Sequence, residues 1–533
     1  MKRDSLVKGT LILALAALVA RVIGVLQKVP LVRLLGDAGM ASFGIAYNLY
    51  FLLLTVATVG MPSALSKLVS ERADTGGMAE ARQIYRASLA FGAVAGFVLT
   101  VLVMAFAPQY AALAGDPEAV PAIRALAPAL LLFPMIAMMR GYYQGLRYMT
   151  PNGLSQIVEQ ILRVATAVLL SWLFLEWGYS RPVAVAGASF GGVTGSVGAM
   201  AVLVWYAWRI RKADGEAGIA GEKTGPARSA GQIYRLLFSY SIPIILGSLA
   251  VPIINFIDSS TAIPLLSGLM DREAAKETLG VLTGRAQSVA GIPVILAIAV
   301  SQTALPVISA AFARGDLAEA ERRASQAMWL STVFGVWLAL VIAVSAKPLN
   351  GFVFGDTEGT AVIVMLTAAS VLQIVMMTGT SILNGLGKLK EAAAHVYAGI
   401  AVKLAATFAL TWWLGIAGVI ASTMLCFLTI SLLNFRLIRR FVRLDVLAGR
   451  RFAFLAAAAL TGLAGRGILA ACERWIAASG KNWLDYAVQT IVTASATGFV
   501  FAVLLFAFGV IGKRETSILP GRLGKLASRF VRS

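Results

Sequence analysis

Apolar residues run along this chain in blocks of about 20 to 30, separated by short polar segments, without the ten-residue alternation of a lipid-facing strand. At 1.5 Å of rise per residue, a helix of this length crosses a hydrocarbon core of about 30 Å. The blocks are read at 6–34, 41–64, 84–107, 121–145, 153–177, 182–208, 236–266, 279–312, 325–346, 360–386, 392–414, 416–435, 452–471 and 486–511. No water reaches the bilayer core to satisfy peptide groups, so runs of this kind span it as helices. The pattern predicts an all-α polytopic membrane protein with about 14 transmembrane helices.

Composition narrows the class further. Of 533 residues, 59% are hydrophobic and 14% charged, against about 45–50% and about 25% in a soluble domain. Disorder, coiled coil, disulfide scaffold and cytosolic enzyme are excluded at this step. Two cysteines, Cys426 and Cys472, make no disulfide framework, and a single histidine, His395, makes no zinc site. Without a phosphate-binding glycine loop or paired Asp motif, the chain is expected to be neither an enzyme nor the carrier of a cofactor. The first 20 residues imitate a secretory signal, with Ala14-Leu15-Ala16 resembling a cleavage site, but the apolar run continues to Leu35 and is read as the first span.

A net charge of +20, from 46 Lys+Arg and 26 Asp+Glu, invites a nucleic-acid reading that the placement of the charges removes. With a cytoplasmic N-terminus, and with residues near span ends counted with the adjoining loops, 32 of the basic residues fall in the N-terminal segment, the loops after even-numbered spans and the tail, and 9 in the opposite loops. This is a positive-inside distribution, which predicts that both termini are cytoplasmic. The tail from Lys513 to Arg532 is expected to touch anionic lipid, and no nucleic-acid partner is expected.

Shifted by about 240 residues, the chain resembles itself. Gln144-Gly145-Leu146 meets Asn384-Gly385-Leu386, Pro62 meets Pro306, Glu80-Ala81 meets Glu319-Ala320, Pro108 meets Pro348, and Ala186-Gly187 meets Ala417-Gly418. Six spans per unit is an even number, so both units enter the membrane from the same side and form parallel lobes. The expected organisation is an N-lobe over 1–208, a polar linker over 209–235, a C-lobe over 236–440, helices 13 and 14 over 441–512, and a basic tail over 513–533. Two parallel six-helix lobes suit an alternating-access transporter, expected to be a monomer.

With residues near span ends counted with the loops, the charged residues left inside spans are Arg21, Lys28, Arg163, Arg285, Lys403, Glu159 and Asp258. Each costs roughly 2.5–3.5 kcal/mol at the centre of a helix, so the excess of positive charge points to a watered cavity that receives an anion. Arg21 and Lys28 are seven residues apart and share one helical face. Lys28 is open to a second reading, in which it snorkels to the headgroups. Glu159 and Arg163 have the i, i+4 spacing of an intrahelical pair, with gating as the alternative. Lys403 sits 240 residues after Arg163 with Gly399 where the acid would be, which makes it the better cavity candidate. Arg285 is either a cavity cation or an interfacial anchor, and Asp258 either holds a coupling cation or makes a structural pair. Gly187, Gly191 and Gly195 form a stripe suited to close helix contact.

The segments ARVIGVLQKVPLVRLLG, GMPSALSKLVSERADTGG, RGYYQGLRYMTPNGLSQIVEQILRV and LNGLGK resemble the MOP exporter superfamily over the whole chain. Within it they resemble the polysaccharide-biosynthesis branch, closest to the YtgP/MurJ type of lipid II flippase, with SpoVB as sister. The resemblance implies a lipid-linked anionic glycan precursor as partner, a bacterial cytoplasmic membrane, and substrate contact by Arg21 and Arg285, to which the charge pattern adds Lys28 and Lys403 as expected substrate-binding residues. Gln27 and Lys28 stand where some members carry a further arginine, and no arginine stands near Thr55. The alternatives are a flippase for another lipid-linked oligosaccharide and a multidrug or cation antiporter, which would need acidic cavity residues that helix 1 lacks.

Overall fold

The computed structural model describes residues 6–58, 60–75, 77–216, 229–447, 449–476 and 483–512. Residues 217–228 of the expected linker and the whole basic tail lie outside them. Unit 1 of the chain begins with α1 (Leu6–Thr58), α2 (Gly60–Asp74), α3 (Met78–Leu113), α4 (Val120–Leu126), α5 (Ala129–Gly145), α6 (Thr150–Glu176) and α7 (Arg181–Glu216). There follow α8 (Ala230–Ser248), α9 (Ala250–Leu266), α10 (Arg272–Gly280), a π-helical turn (Val281–Ala286) and α11 (Gln287–Ala313). The remainder is α12 (Leu317–Phe354), α13 (Thr360–Gly385), α14 (Leu389–Leu414), α15 (Ile416–Ile438), α16 (Arg451–Ile476) and α17 (Trp483–Ala507).

Among the described residues, 12 helical runs are long and apolar enough to cross a membrane, and a bent pair brings the number to 13. The first run, Leu15–Asp74, has 60 residues, about 90 Å if straight, and so holds two of the expected spans. Gly36 divides them with φ 67° and ψ 178°, a backbone conformation essentially restricted to glycine. The bent pair, α8 and α9, turns by 53°. Pro252 lacks the N–H that would bond to the Ser248 carbonyl, which breaks the ladder there. With these two features the helices match the 14 apolar blocks of the sequence.

The chain packs as two compact units that divide between Gly284 and Arg285. In unit 1, α8 joins the first-half helices because Ile233 and Leu237 complete a core with Met61, Leu65 and Ile84. At Gly60, α2 lies so close to the Ser241 carbonyl that any side chain would collide with it. In unit 2, Ile308, Met328, Leu383 and Ile438 form one core. Helices α16 and α17 cover α12 through Trp329, Val333, Phe454 and Phe501. Exposed Trp177, Tyr179, Trp413, Trp475 and Trp483 stand at the ends of odd-numbered spans or at the start of the following one, as interfacial anchors do.

The glycine stripe has a definite partner. A Cβ on Gly191 would lie 2.5 Å from the Arg163 carbonyl, and one on Gly195 would lie 2.7 Å from the Glu159 carbonyl. The stripe therefore presses α7 onto the backbone of the charged turn of α6. Replacing Gly191 and Gly195 together by Ala is expected to lower stability by about 1–3 kcal/mol through overpacking, read as a lower melting temperature in detergent.

Candidate functional site

On α1, Arg21 is exposed and Lys28 half-buried. Lys28 does not reach for headgroups, because its Nζ donates to the Thr283 carbonyl at 2.7 Å. Thr283 lies in the π-helical turn, whose wider winding disturbs the usual carbonyl partners and leaves room for a side-chain donor. The Thr283 hydroxyl is within reach of the Leu279 carbonyl at 2.9 Å and the Met40 carbonyl at 3.3 Å, which ties this turn to α1. Arg21 and Lys28 thus share a helix face, and the turn fixes the second of them.

Glu159 and Arg163 form the pair expected from their spacing, at 2.8 Å. The same carboxylate also takes Arg140 of α5 at 2.9 Å. Arg140 Nε donates to Ser155 Oγ at 3.0 Å, and Asn152 donates to the Arg140 carbonyl at 2.9 Å. Arg163 lies over the Phe133 ring, 5.7 Å from its centroid. One buried acid therefore serves two guanidiniums, and the cluster keeps one positive charge.

Unit 2 places its cations differently. Arg285 is buried, pairs with Asp356 in the turn after α12, and faces the Phe354 ring at 5.8 Å. Asp356 also accepts from the Glu358 backbone N–H at 2.8 Å, so the aspartate is fixed from both sides. Lys403 is fully buried between α14 and α15, where its ammonium donates to Thr423 Oγ1 at 2.8 Å and Ser422 Oγ at 3.3 Å. Gly399, one turn earlier, faces Ile430 so closely that no acidic side chain fits there. Asp258 is buried on α9.

The polysaccharide biosynthesis protein family matches residues 6–312, more than half of the chain. The chain belongs to this family. It is 27% identical to the lipid II flippase MurJ of Bacillus subtilis (strain 168), over 97% of this chain and 98% of that one. It is 26% identical to stage V sporulation protein B of the same organism, over 98% and 99%. Among solved structures, it resembles lipid II flippase MurJ in an inward closed conformation, with a TM-score of 0.63 at 13% identity over 93% of this chain and 99% of that one. An inward-facing multidrug resistance MATE family transporter of the MOP superfamily gives a TM-score of 0.62 at 14% identity, over 79% and 95%. The fold is that of the MOP superfamily.

Within this polysaccharide biosynthesis family member, Arg140 is the residue that sequence reasoning left out of the site. It opens the segment RGYYQGLRYMTPNGLSQIVEQILRV, which also contains Asn152, Ser155, Glu159 and Arg163. That one segment supplies the whole hydrogen-bonded cluster was available as a signal. The pairing itself, across 19 residues and two helices, was not.

Proposed function

We propose that the protein is an alternating-access flippase that moves an undecaprenyl-diphosphate-linked cell-wall precursor, lipid II, across the cytoplasmic membrane for peptidoglycan synthesis. The observation that carries this reading is the cationic face of α1, where Arg21 stands exposed and Lys28 lies about 10 Å further along the helix axis. A diphosphate is a compact acceptor of charge-assisted hydrogen bonds, and its lipid tail can remain in the bilayer while the headgroup crosses. The likeness to the Bacillus subtilis flippase over nearly the full length of both chains supports the same class. Lys403 and Arg285 are further candidate cations of this path, which Arg285 would join only after leaving Asp356. The basic distribution in the sequence supports cytoplasmic termini, with the loops at Asp116 and Asp356 outside.

The sporulation relative supports a second reading, a different lipid-linked oligosaccharide carried by the same charges. Expression in a bacterial strain depleted of its lipid II flippase separates the two. Restored growth is expected; lysis despite normal insertion would leave only the second reading.

A further inference from the structure

Beside the charged cluster of α6 lie two buried donors that its ion pairs do not use. Each oxygen of Glu159 takes one guanidinium, Arg140 or Arg163, which leaves a positive excess on side chains only 18% and 10% exposed. Arg163 Nε, on the second of these guanidiniums, is buried and has no hydrogen-bond partner among the described residues. The same holds for the hydroxyl of Tyr50, a residue only 3% exposed. Both groups sit at Phe133. The Arg163 guanidinium is 5.7 Å from the centroid of that ring, and the Tyr50 ring meets it edge-on at 5.9 Å. Arg163 is also the charge that Tyr50 feels most strongly, ahead of Glu159 and Arg140. Leu126, Ala129 and Leu130 complete the packing around Tyr50 and Phe133 with apolar side chains.

We propose that Arg163 Nε and the Tyr50 hydroxyl hold a small monovalent inorganic anion of the chloride class, which serves as the resident counter-ion of this cluster. Three features select that ligand. Its sign follows from two guanidiniums sharing one carboxylate inside a span, where an uncompensated charge is costly. Its chemistry follows from the two unused groups. An arginine N–H only donates and a tyrosine hydroxyl can donate, so an acceptor without hydrogens of its own satisfies both. A water would bring hydrogens in need of acceptors, and both Glu159 oxygens are already engaged. Its size follows from the apolar neighbours. A polyatomic oxyanion would turn further oxygens toward Leu126, Ala129 and Leu130, whose side chains have nothing to donate. Entry is by way of Arg140, the most exposed member of the cluster, which Ser155 and Asn152 hold near the loop between α5 and α6. The site involves neither Arg21 nor Lys28, so it stands whether or not α1 carries a diphosphate.

The test measures melting of the full chain in detergent at constant ionic strength, with chloride replacing gluconate stepwise. Chloride is expected to raise the wild-type melting temperature saturably, by about 2–4 °C when it is about tenfold above its dissociation constant. Tyr50→Phe removes one donor and keeps the ring against Phe133. In gluconate this variant is expected to melt at or above the wild-type temperature, because it no longer buries an unpaired hydroxyl. Chloride is expected to lose its effect on the variant or to need about tenfold more to produce it. A wild-type melting temperature indifferent to chloride would overturn the proposal. So would the same chloride response in both proteins, which would mean an adventitious ion only. Crystals of the wild-type protein grown in bromide supply a check that depends on no variant. An anomalous peak beside Phe133, within hydrogen-bond reach of Arg163 Nε, is expected, and its absence there would sink the site. Neither readout involves lipid, so growth or lysis of the flippase-depleted strain bears on the substrate reading alone.

Discussion

Glu159→Gln is expected to destabilise unit 1 by about 3–5 kcal/mol, because it removes the carboxylate between two guanidiniums and leaves both charges uncompensated. Arg140 and Arg163 keep only 18% and 10% of their side chains exposed, so solvent screens little of their repulsion. The physical cause predicts a pattern as well as a size. Adding Arg163→Met to Glu159→Gln should recover a large part of the loss, since the remaining Arg140 retains Ser155 Oγ and nearer access to water. Melting temperatures of the single and double variants in detergent measure this directly. A double variant less stable than Glu159→Gln would mean that Arg163 stabilises the fold through Phe133 rather than through charge.

Arg21→Ala is expected to slow lipid translocation about ten- to a hundredfold while leaving the melting temperature unchanged. A hydrogen bond to a charged group contributes about 1.5–3 kcal/mol, which converts to that range of rate if the contact is made in the crossing state. Stability should not move, because Arg21 is exposed on α1. Arg21→Lys distinguishes the geometry of the contact. A lysine supplies a point charge but no planar fork, so substantial retained rate would indicate simple charge attraction, and a loss equal to that of alanine would indicate bidentate phosphate contact. Wild-type rates with Arg21→Ala would remove helix 1 from the substrate path.

Much of the architecture was legible in the chain because it depends on local quantities. Hydropathy over 20 residues sets a span regardless of its neighbours, and all 14 blocks recur as helices or as segments of them. The Glu159–Arg163 pair was legible for the same reason, since i, i+4 spacing fixes the contact within one helix. The glycine stripe announced a close helix contact, although not that its partner would be the turn carrying that pair.

What only the tertiary structure decided are the partners of charges. Lys28 finds a carbonyl 255 residues away, and Arg285 finds a carboxylate 71 residues away. The sequence offered both as cations for the substrate, and the fold gives each a resident acceptor. It likewise moved the packing boundary to Gly284, past the polar linker, by laying α8 to α10 against first-half helices. The reason is physical. Insertion into a bilayer depends on the summed transfer energy of each segment, which composition contains, whereas a buried charge is satisfied by whichever donor or acceptor the packing brings within about 3 Å. That distance is a property of the folded chain alone.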